Sequence, residues 1–516
     1  MPSKTVLLPQ TSCWMKIKQN QNDLLTSGSA VSRRLVAVID LGSNSVRLVI
    51  YDCASPHPVP FFNEKVIAGL AQGIEQSGQL SPEGVDLAMA AMKRFSQLCN
   101  RLGVEHVSVL ATAAVREAGN GPAFVTEIEE TCGFSIEIIS GEREALLSAM
   151  GVLAANPKAD GLVGDIGGGS LDVIELKDGK AGRFATLPLG TIRLPEHVGY
   201  DRKKARARAD KLIGDVSWLG ELQGRSFYPV GGAWRALGRT AMVQASYPLE
   251  IIDNYVIDRA YATDIARLVS SQSAASLKTM PSIPKRRSET VPFAALVLDR
   301  LLKAAKPERV VFSAASMREG AVYEYLNLLN DDHDPLLDSC RDLAAKAGRD
   351  VVGKEQLADW MAPLFREDDP ATPALRKAAA YLSNISWMDH PEYRADMSYL
   401  KILQAPFIGL RHFDRAFLAI AIYTRYEGEG GAGIARKLLS GDAQKSAAVL
   451  GLALRLAHGI GAGQPDAAMR TSLSLSKDTL TLTLPRDDAL YSETAFSSRL
   501  KKLAALMGRS PAFDYC

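Results

Sequence analysis

VIDLGSNSVRLVIY at residues 38–51 and VGDIGGGSLDVIE at residues 163–175 follow one pattern. Each copy has an apolar run that ends in an Asp, a turn rich in Gly and Ser, and a second apolar run. The Asp and the last Ser of each turn are five residues apart, namely Asp40 with Ser45 and Asp165 with Ser170. Short runs rich in Val, Ile and Leu are typical of strands, so each copy predicts a β-hairpin. The duplication predicts two related domains.

The turns of the two hairpins are nearly free of side chains, which lets backbone N–H groups approach an anion closely. They predict a cleft in which two loops hold a phosphate chain between two domains. The candidate phosphate-binding residues in these turns are Gly42, Ser43, Asn44, Ser45, Gly167, Gly168, Gly169 and Ser170.

Composition limits the class of protein. At 516 residues the chain has room for about three domains, and its 47% hydrophobic and 23% charged residues are ordinary for a globular protein. The formal net charge of +2 does not indicate a dedicated nucleic-acid binder. The six Cys form no C-x-x-C pair, which fits a reducing compartment and predicts a cytoplasmic protein. No run approaches the roughly 18 apolar residues of a membrane span, so we expect no membrane association.

The order of predicted strands and helices divides the chain into four parts. Strands alternate with helices through both duplicated halves, which is typical of α/β domains. Past about residue 328 the sequence is rich in Ala and Leu and mainly helical, with one late hairpin at residues 472–485. The predicted parts are a polar, disordered extension at 1–33, an α/β domain at 34–147, a second one at 148–328 and a helical domain at 329–516.

Several blocks of sequence resemble a known family. The DLGSNS and DIGGGS turns resemble those of the acetate/sugar kinase, Hsp70 and actin superfamily. The blocks that resemble the exopolyphosphatase and guanosine pentaphosphate phosphohydrolase family are TAAVREA (112–118), IEIISGEREA (136–145), GDIGGGSLDVIEL (164–176), PVGGAWRALG (229–238) and SMREGAVYEYL (316–326). The resemblance is close over about residues 35–326 and loose beyond. It implies an α/β fold of two actin-like (ribonuclease H-like) domains with a cleft between them, plus a mainly α-helical C-terminal domain.

Glu144 and Arg116 are the candidate catalytic residues. Glu144 lies in the first turn of a predicted helix, where a carboxylate is also favoured simply as a helix cap. The resemblance implies that Glu144 is the base that activates water. Arg116 follows a predicted buried strand, and an Arg is most often a surface residue. The resemblance implies that it points into the phosphate site, where a guanidinium neutralises phosphoryl charge.

Three aspartates are the candidate metal ligands. Asp40 and Asp165 end the first strand of their hairpins, where Asp also serves as an ordinary turn-starting residue. Asp172 lies where the resembled family has Glu, so its carboxylate has a shorter reach. Magnesium takes oxygen ligands and keeps several waters, so one or two carboxylates plus substrate oxygens are enough to bind it. We expect Mg²⁺ as the cofactor, alone or with a monovalent cation such as K⁺.

Two further blocks bear on nucleotide recognition. The resemblance implies that a third glycine turn, Gly231 and Gly232, supports a nucleotide or further phosphates, and a simple strand-to-helix turn is the alternative. The block at residues 313–320, SAASMREG, lacks the Asp and Gly of the resembled motif. This departure weakens the case for tight nucleotide binding there.

Two basic segments, DRKKARARADK (201–211) and PKRR (284–287), have two interpretations. A charge run is usually a solvated helix face. A polyanionic substrate gives such a run a second use, because charges along a helix hold a long phosphate chain without reading any sequence. The residues that would do so are Lys203, Lys204, Arg206 and Arg208.

The C-terminal region resembles a degenerate HD-type metal phosphohydrolase domain. HD chemistry needs several His and Asp ligands, but the order here is reversed, with Asp389 before His390. We therefore expect no metal site in this region, and we assign it a structural or dimerisation role in a homodimer.

Together these features predict an exopolyphosphatase that releases orthophosphate processively from the ends of inorganic polyphosphate by attack of base-activated water. The main alternative is hydrolysis of guanosine pentaphosphate to the tetraphosphate, since both substrates end in the same phosphoanhydride. A non-catalytic polyphosphate-binding protein and an ATP-dependent kinase of the superfamily are further alternatives. The expected partners are polyphosphate or guanosine pentaphosphate and a second copy of the chain, with no nucleic acid.

Overall fold

The computed structural model describes residues 33–516 except 331–333, 349–352, 408, 429–432, 462–464, 487 and 489. The predicted extension at 1–33 lies outside the described residues apart from its last residue. The described residues form two lobes, each built on one sheet, and a C-terminal domain.

Lobe I is built on a five-stranded sheet. Its strands are β1 (Leu35–Leu41), β2 (Ser45–Asp52), β3 (Val59–Ile67), β4 (His106–Ala111) and β5 (Ile136–Ile138). The helices up to the second lobe are α1 (Ile74–Ser77), α2 (Pro82–Leu102), α3 (Ala113–Glu117), α4 (Gly121–Cys132) and α5 (Gly141–Ala155). The strand order is β3-β2-β1-β4-β5, with β1 to β3 antiparallel and β4 and β5 parallel to β1. Helix α2 starts at the Ser81 cap with Pro82 in its first turn and ends at Gly103 in the left-handed region.

Lobe II repeats this plan with one more strand. Its strands are β6 (Gly161–Ile166), β7 (Leu171–Lys177), β8 (Lys180–Leu187), β9 (Ser226–Val230), β10 (Tyr255–Asp258) and β11 (Arg309–Phe312). Its helices are α6 (Arg193–His197), α7 (Arg202–Gly214), α8 (Gly232–Gln244), α9 (Arg259–Ser271), α10 (Ala274–Lys278) and α11 (Val291–Ala305). The order is β10-β11-β9-β6-β7-β8, so the β8-β7-β6-β9 half matches β3-β2-β1-β4 of lobe I.

The duplication seen in the sequence holds at the level of single hydrogen bonds. In the β1–β2 hairpin the Gly42 amide donates to the Ser45 carbonyl at 3.1 Å. In the β6–β7 hairpin the Gly167 amide donates to the Ser170 carbonyl at 3.0 Å. The prediction of two hairpins with the same turn is confirmed.

Helices α5 and α12 (Met317–Tyr325) cross between the two sheets. Leu147 of α5 and Met317 of α12 belong to the core beneath the lobe I sheet, whereas Ala149 of α5 packs on the lobe II sheet. The two helices approach so closely that a Cβ on Gly320 would lie 1.9 Å from the Leu147 carbonyl oxygen. The predicted boundary at 147/148 therefore falls inside a helix that serves both lobes, and α12, assigned to the second domain, packs on the first.

The C-terminal domain is mainly helical, as predicted. Its helices are α13 (Pro335–Lys346), α14 (Lys354–Trp360), α15 (Pro373–Leu382), α16 (Arg394–Gln404), α17 (His412–Glu427), α18 (Gly441–Gly461), α19 (Pro465–Met469) and α20 (Glu493–Met507). The predicted hairpin is present as β12 (Ser472–Leu475) and β13 (Thr479–Leu484), and β14 (Ser510–Tyr515), which the sequence did not indicate, pairs parallel to β13. Short 3₁₀ helices occupy Ser217–Leu222, Lys285–Arg287, Leu328–Asn330, Ala362–Leu364, Pro391–Tyr393 and Ile434–Leu438.

Two buried histidines connect the C-terminal domain to the lobes, one histidine for each lobe. Nδ1 of His57 in lobe I lies 3.2 Å from the Ser339 hydroxyl of α13. Nδ1 of His412 in α17 lies 2.8 Å from the Tyr247 hydroxyl of lobe II. Among the described residues no helix is both long and apolar enough to cross a membrane.

Candidate active site

The glycine turn of lobe II is oriented by the segment that precedes α6. Amides of residues 190–193 donate to the carbonyl oxygens of residues 167–169 at 2.9–3.3 Å. In a trans peptide the C=O and the following N–H point in opposite directions. The amides of residues 168–170 therefore point away from residues 190–193. They face the cleft that residues 167–170 line.

All ten predicted phosphate-binding residues line one cleft between the lobes, which encloses about 280 Å³. They are Gly42, Ser43, Asn44 and Ser45 of the first turn, Gly167, Gly168, Gly169 and Ser170 of the second, and Gly231 and Gly232 of the third. The first two turns meet, since a Cβ on Gly168 would lie 2.8 Å from the Ser43 Cβ. The cleft thus brings together two turns that lie more than 120 residues apart in the sequence.

Glu144 points into this cleft from the first turn of α5. The Ser140 hydroxyl caps the helix by accepting from the Arg143 amide, so Glu144 is not needed as the cap. Glu144 Oε2 is buried and has no hydrogen-bond partner among the described residues. Burial and the neighbouring Asp172 carboxylate hold the pKa of Glu144 well above its usual range. Such a carboxyl is suited to take up a proton near neutral pH.

The three predicted metal ligands lie around Glu144 and differ in their hydrogen-bond partners and in their burial. Asp165 Oδ2 accepts from the Ser148 hydroxyl at 2.6 Å, and Asp40 Oδ2 accepts from Arg318 at 3.1 Å. Asp172 lies just behind the cleft lining, where burial raises its pKa to about 6.

Arg116 is not among the cleft-lining residues of the described chain. Its Nη1 donates to the Ile139 carbonyl at 2.6 Å and lies 4.0 Å from Glu144 Oε2. The structure thus places Arg116 beside the candidate base, behind the cleft lining. Its predicted contact with phosphate stays a prediction.

Six cations line the cleft, and of these only Arg286 and Arg287 lie in a basic segment that the sequence analysis singled out. They are Arg47, Lys65, Arg235, Arg286, Arg287 and Arg318. Burial and the neighbouring Arg287 lower the pKa of Lys65 to about 8, and burial and Arg318 lower the pKa of Arg235 to about 10. Burial is the larger cause of both shifts, and the neighbouring cations add to it because a cation near other cations loses its proton more easily.

The position of Arg47 carried a signal in the sequence. Strand register places Arg47 opposite Asp40, and the same register places Asp172 opposite Asp165. Because Asp172 was recognised as a site residue, the duplication alone pointed to Arg47 as its counterpart. Lys65 lies on the next strand, β3, directly opposite Arg47.

Of the two basic segments only one reaches the cleft. Arg286 and Arg287 of the PKRR segment line it, whereas Lys203, Lys204, Arg206 and Arg208 of α7 are not among its described lining residues. Arg206 lies 3.8 Å from Asp299 of α11 instead. The predicted path for a phosphate chain along α7 does not start in the cleft.

The cleft fits a magnesium ion only if substrate supplies part of its coordination. Nowhere in the described parts of the chain do three or more His, Cys, Asp or Glu side chains group closely enough to hold a metal ion. Asp172 Oδ1 and Glu144 Oε2 are buried and have no hydrogen-bond partner there, so oxygen donors remain for a cation. Magnesium commonly takes one or two carboxylates together with phosphate oxygens and water.

Comparison with curated proteins finds relatives along much of the chain. The chain is 27% identical over 458 residues to retrograde regulation protein 2 of Saccharomyces cerevisiae, covering 79% of this chain and 75% of the relative. It is 26% identical over 305 residues to the guanosine-5'-triphosphate,3'-diphosphate pyrophosphatase of Pseudoalteromonas translucida, covering 58% of this chain and 61% of the relative. The protein of the same name from Vibrio vulnificus is 24% identical over 471 residues, with 87% and 92% covered.

Solved structures share the fold. An exopolyphosphatase from Cytophaga hutchinsonii superimposes with a TM-score of 0.52 at 23% identity, covering 57% of this chain and 98% of that chain. A Ppx/GppA family member from Aquifex aeolicus gives 0.50 at 20% identity, covering 58% and 100%. The sequence model described as the exopolyphosphatase C-terminal domain matches residues 336–513. Because the model of the Ppx/GppA phosphatase family matches residues 49–329, more than half of the sequence, the chain belongs to that family.

Proposed function

We propose that this protein is an exopolyphosphatase, which removes orthophosphate one residue at a time from the ends of inorganic polyphosphate. The observation that carries the proposal is the charge of the cleft, whose lining holds six cations and three carboxylates. Four of the cations are neighbours, since Arg47 of β2 lies opposite Lys65 of β3, and burial together with Arg287, Arg47 and Arg286 lowers the pKa of Lys65. A ligand whose negative charge repeats along its length suits such a surface.

In the proposed reaction Glu144 takes a proton from the water that attacks the terminal phosphorus in line. A bond forms between the water oxygen and phosphorus, the anhydride bond breaks, and the shortened chain leaves. Amides of the turns at residues 43–45 and 168–170, beyond the Gly42 and Gly167 amides that close each turn, hold the terminal and adjacent phosphates. Arg318 and Arg47 offset the charge that develops on the leaving group.

Magnesium would act as a Lewis acid on the phosphate oxygens when bound. Asp172 and Asp165 would hold it, since both carboxylates lie against Glu144, where their charge raises its pKa. Asp40 is engaged with Arg318 and would join them only if that ion pair opened.

Hydrolysis of guanosine pentaphosphate is the second candidate. Two of the relatives reported above are named guanosine-5'-triphosphate,3'-diphosphate pyrophosphatases. The cations beyond the turns would then meet the second phosphate group of the nucleotide. A kinase is less well supported, because the Arg287 guanidinium covers the third glycine turn, where a Cβ on Gly232 would lie 2.3 Å from it.

A non-catalytic polyphosphate-binding protein is the remaining alternative, and one relative carries the name of a regulatory protein. The buried Glu144 Oε2, which accepts no hydrogen bond within the described part of the chain, argues for catalysis, because a binding protein for polyanions gains nothing from a buried carboxyl in its cleft. A homodimer and a cytoplasmic location stay predictions.

The test is phosphate release by the purified chain with magnesium, on long polyphosphate, tripolyphosphate, guanosine pentaphosphate and ATP. We expect the highest kcat/KM on long polyphosphate. A higher value on guanosine pentaphosphate would assign the second candidate. Tight polyphosphate binding without release from any substrate would assign a binding protein.

A further inference from the structure

Arg193 connects the two lobes beside the two glycine turns, where it lines a small pocket together with Ser43 and Gly168. It is the first residue of α6 in lobe II. Its Nε lies 2.8 Å from Oε1 of Glu75 in α1, and its terminal nitrogens donate to both carboxylate oxygens of Glu117 at the end of α3. Both glutamates belong to lobe I, so one guanidinium holds two carboxylates of the opposite lobe.

Arg193 is also attached to the phosphate-binding turn of its own lobe. Its backbone amide donates to the Gly168 carbonyl at 3.1 Å, and the Ile192 amide donates to the same oxygen at 2.9 Å. The side chain is only 15% exposed. Any movement of this residue relative to lobe I would therefore carry the turn at residues 167–170 with it.

The contact lies away from the place where the lobes are joined. The lobes share α5 and α12, whose crossing is at Gly151 and Gly320. Rotation about that crossing would separate the two glycine turns, which now meet at Ser43 and Gly168. The Arg193 contact lies beside these turns, since Arg193 is bonded to Gly168, so it opposes their separation directly.

We infer that Arg193 is a positioning residue, whose ion pairs with Glu75 and Glu117 hold the glycine turn of lobe II closed against that of lobe I. Its effect on turnover rests on the proposed function, but its effect on closure does not. A single exposed ion pair contributes little, whereas the mostly buried Arg193 guanidinium donates through both terminal nitrogens to Glu117 and carries Glu75 as a second ion-pair partner. Without it the open arrangement becomes more populated, and the phosphate amides are less often in place.

The first measurement is hydrogen–deuterium exchange of the substrate-free protein, which needs no activity. In Arg193→Ala we expect exchange of the peptide spanning residues 166–171 to rise about fivefold, which corresponds to roughly 1 kcal/mol of lost closure. The matched control is Arg94→Ala, which removes an ion pair with Glu64 at 2.8 Å inside lobe I and should leave this peptide unchanged. Unchanged exchange in Arg193→Ala would overturn the inference.

The second measurement is a double-mutant cycle on tripolyphosphate hydrolysis. Arg193→Ala and Glu117→Gln should each raise KM about fivefold with little change in kcat, and the double variant should be no worse than either. Arg193→Lys should recover part of the loss, because an ammonium reaches one carboxylate. Additive effects of the two changes would contradict the inference. If Arg193→Ala does not fold, the exchange of Glu117→Gln and Arg193→Lys decides the inference. If no substrate is hydrolysed, the exchange measurement alone decides it.

Discussion

Arg47 and Asp172 occupy the same place in the two halves of a duplicated motif and carry opposite charges. Each lies opposite the aspartate that ends the first strand of its hairpin. In the first half, the Arg47 cation lines the cleft. The half with Asp172 places a second carboxylate beside Glu144. One difference in a repeated hairpin thus gives the two halves opposite charges at the same position.

Replacing Glu144 tests the base directly. Glu144→Gln should lower kcat by about 10²–10⁴ while polyphosphate binding stays nearly unchanged, because the amide keeps the shape and cannot accept a proton. Phosphate release and binding by calorimetry measure the two effects. Glu142→Gln, an exposed carboxylate in the same helical turn, is the control. A kcat close to that of the unchanged protein would exclude Glu144 as the base.

Asp172→Asn should shift the acid limb of the pH profile. The Asp172 charge helps to raise the pKa of Glu144, so its removal lowers that pKa. The base is active when deprotonated, so the acid limb of kcat/KM should move to lower pH. The control is Asp178→Asn, which alters the exposed turn that follows the same strand, β7. Its pH profile of kcat/KM should not move. A shift to higher pH, or none, would show that Asp172 does not act on Glu144.

At the scale of elements, the α5–α12 crossing determines how the lobes meet. Helix α5 supplies Glu144 at its start and packs on both sheets along its length. A Cβ on Gly151 would lie 2.3 Å from the Ser316 carbonyl oxygen, so both helices need glycine where their backbones touch. This close approach places the block at residues 316–318, with Arg318, directly beneath the first glycine turn.

Gly320→Ala should therefore destabilise the fold. The added Cβ would lie 1.9 Å from a backbone oxygen that cannot move aside as a flexible side chain can. We expect a loss of about 1–3 kcal/mol or more, as for other overpacked sites, visible as a lower Tm. Gly214→Ala is the control, because a Cβ there would meet nothing within 4 Å. Equal melting of the two variants would contradict the tight crossing.

At the scale of the whole molecule, the two lobes bring their charges to a single cleft although the net charge of the chain is only +2. Cations come from β2, β3, α8, α12 and residues 286–287, which belong to both halves of the sequence. Their mutual repulsion is a cost to the folded protein, and a bound polyanion relieves it. The cleft is thus arranged for a ligand with many charges.

Removal of two of these charges should affect long substrates most. Arg286→Gln with Arg287→Gln should raise KM for long polyphosphate roughly fivefold to tenfold and KM for tripolyphosphate less, because only a long chain reaches past the glycine turns. High salt should reduce the difference. Lys203→Gln with Lys204→Gln, on an exposed helix outside the cleft, is the matched control. An equal change at every chain length would show that these arginines do not follow the chain.

The sequence alone was enough for the two hairpins and their turns. These features are local: strand, turn and helix start depend on residues within a few positions of each other, and duplication repeats them visibly. For that reason the eight residues of the first two turns follow from local patterns, whereas Glu144, Gly231 and Gly232 follow from the resemblance to the family. The helical character of residues 329–516 and the hairpin at 472–485 also follow from local patterns.

Only the tertiary structure decided which cations share the cleft, that Arg116 lies behind Glu144, and that α12 returns to lobe I. The spacing of Arg47, Arg287 and Arg318 along the chain has no period that marks them as neighbours. β14 was missed for a related reason, because its parallel pairing with β13 is made only after α20 has crossed between them. Contacts between distant segments depend on how whole sheets and helices pack, and a local pattern does not contain that information.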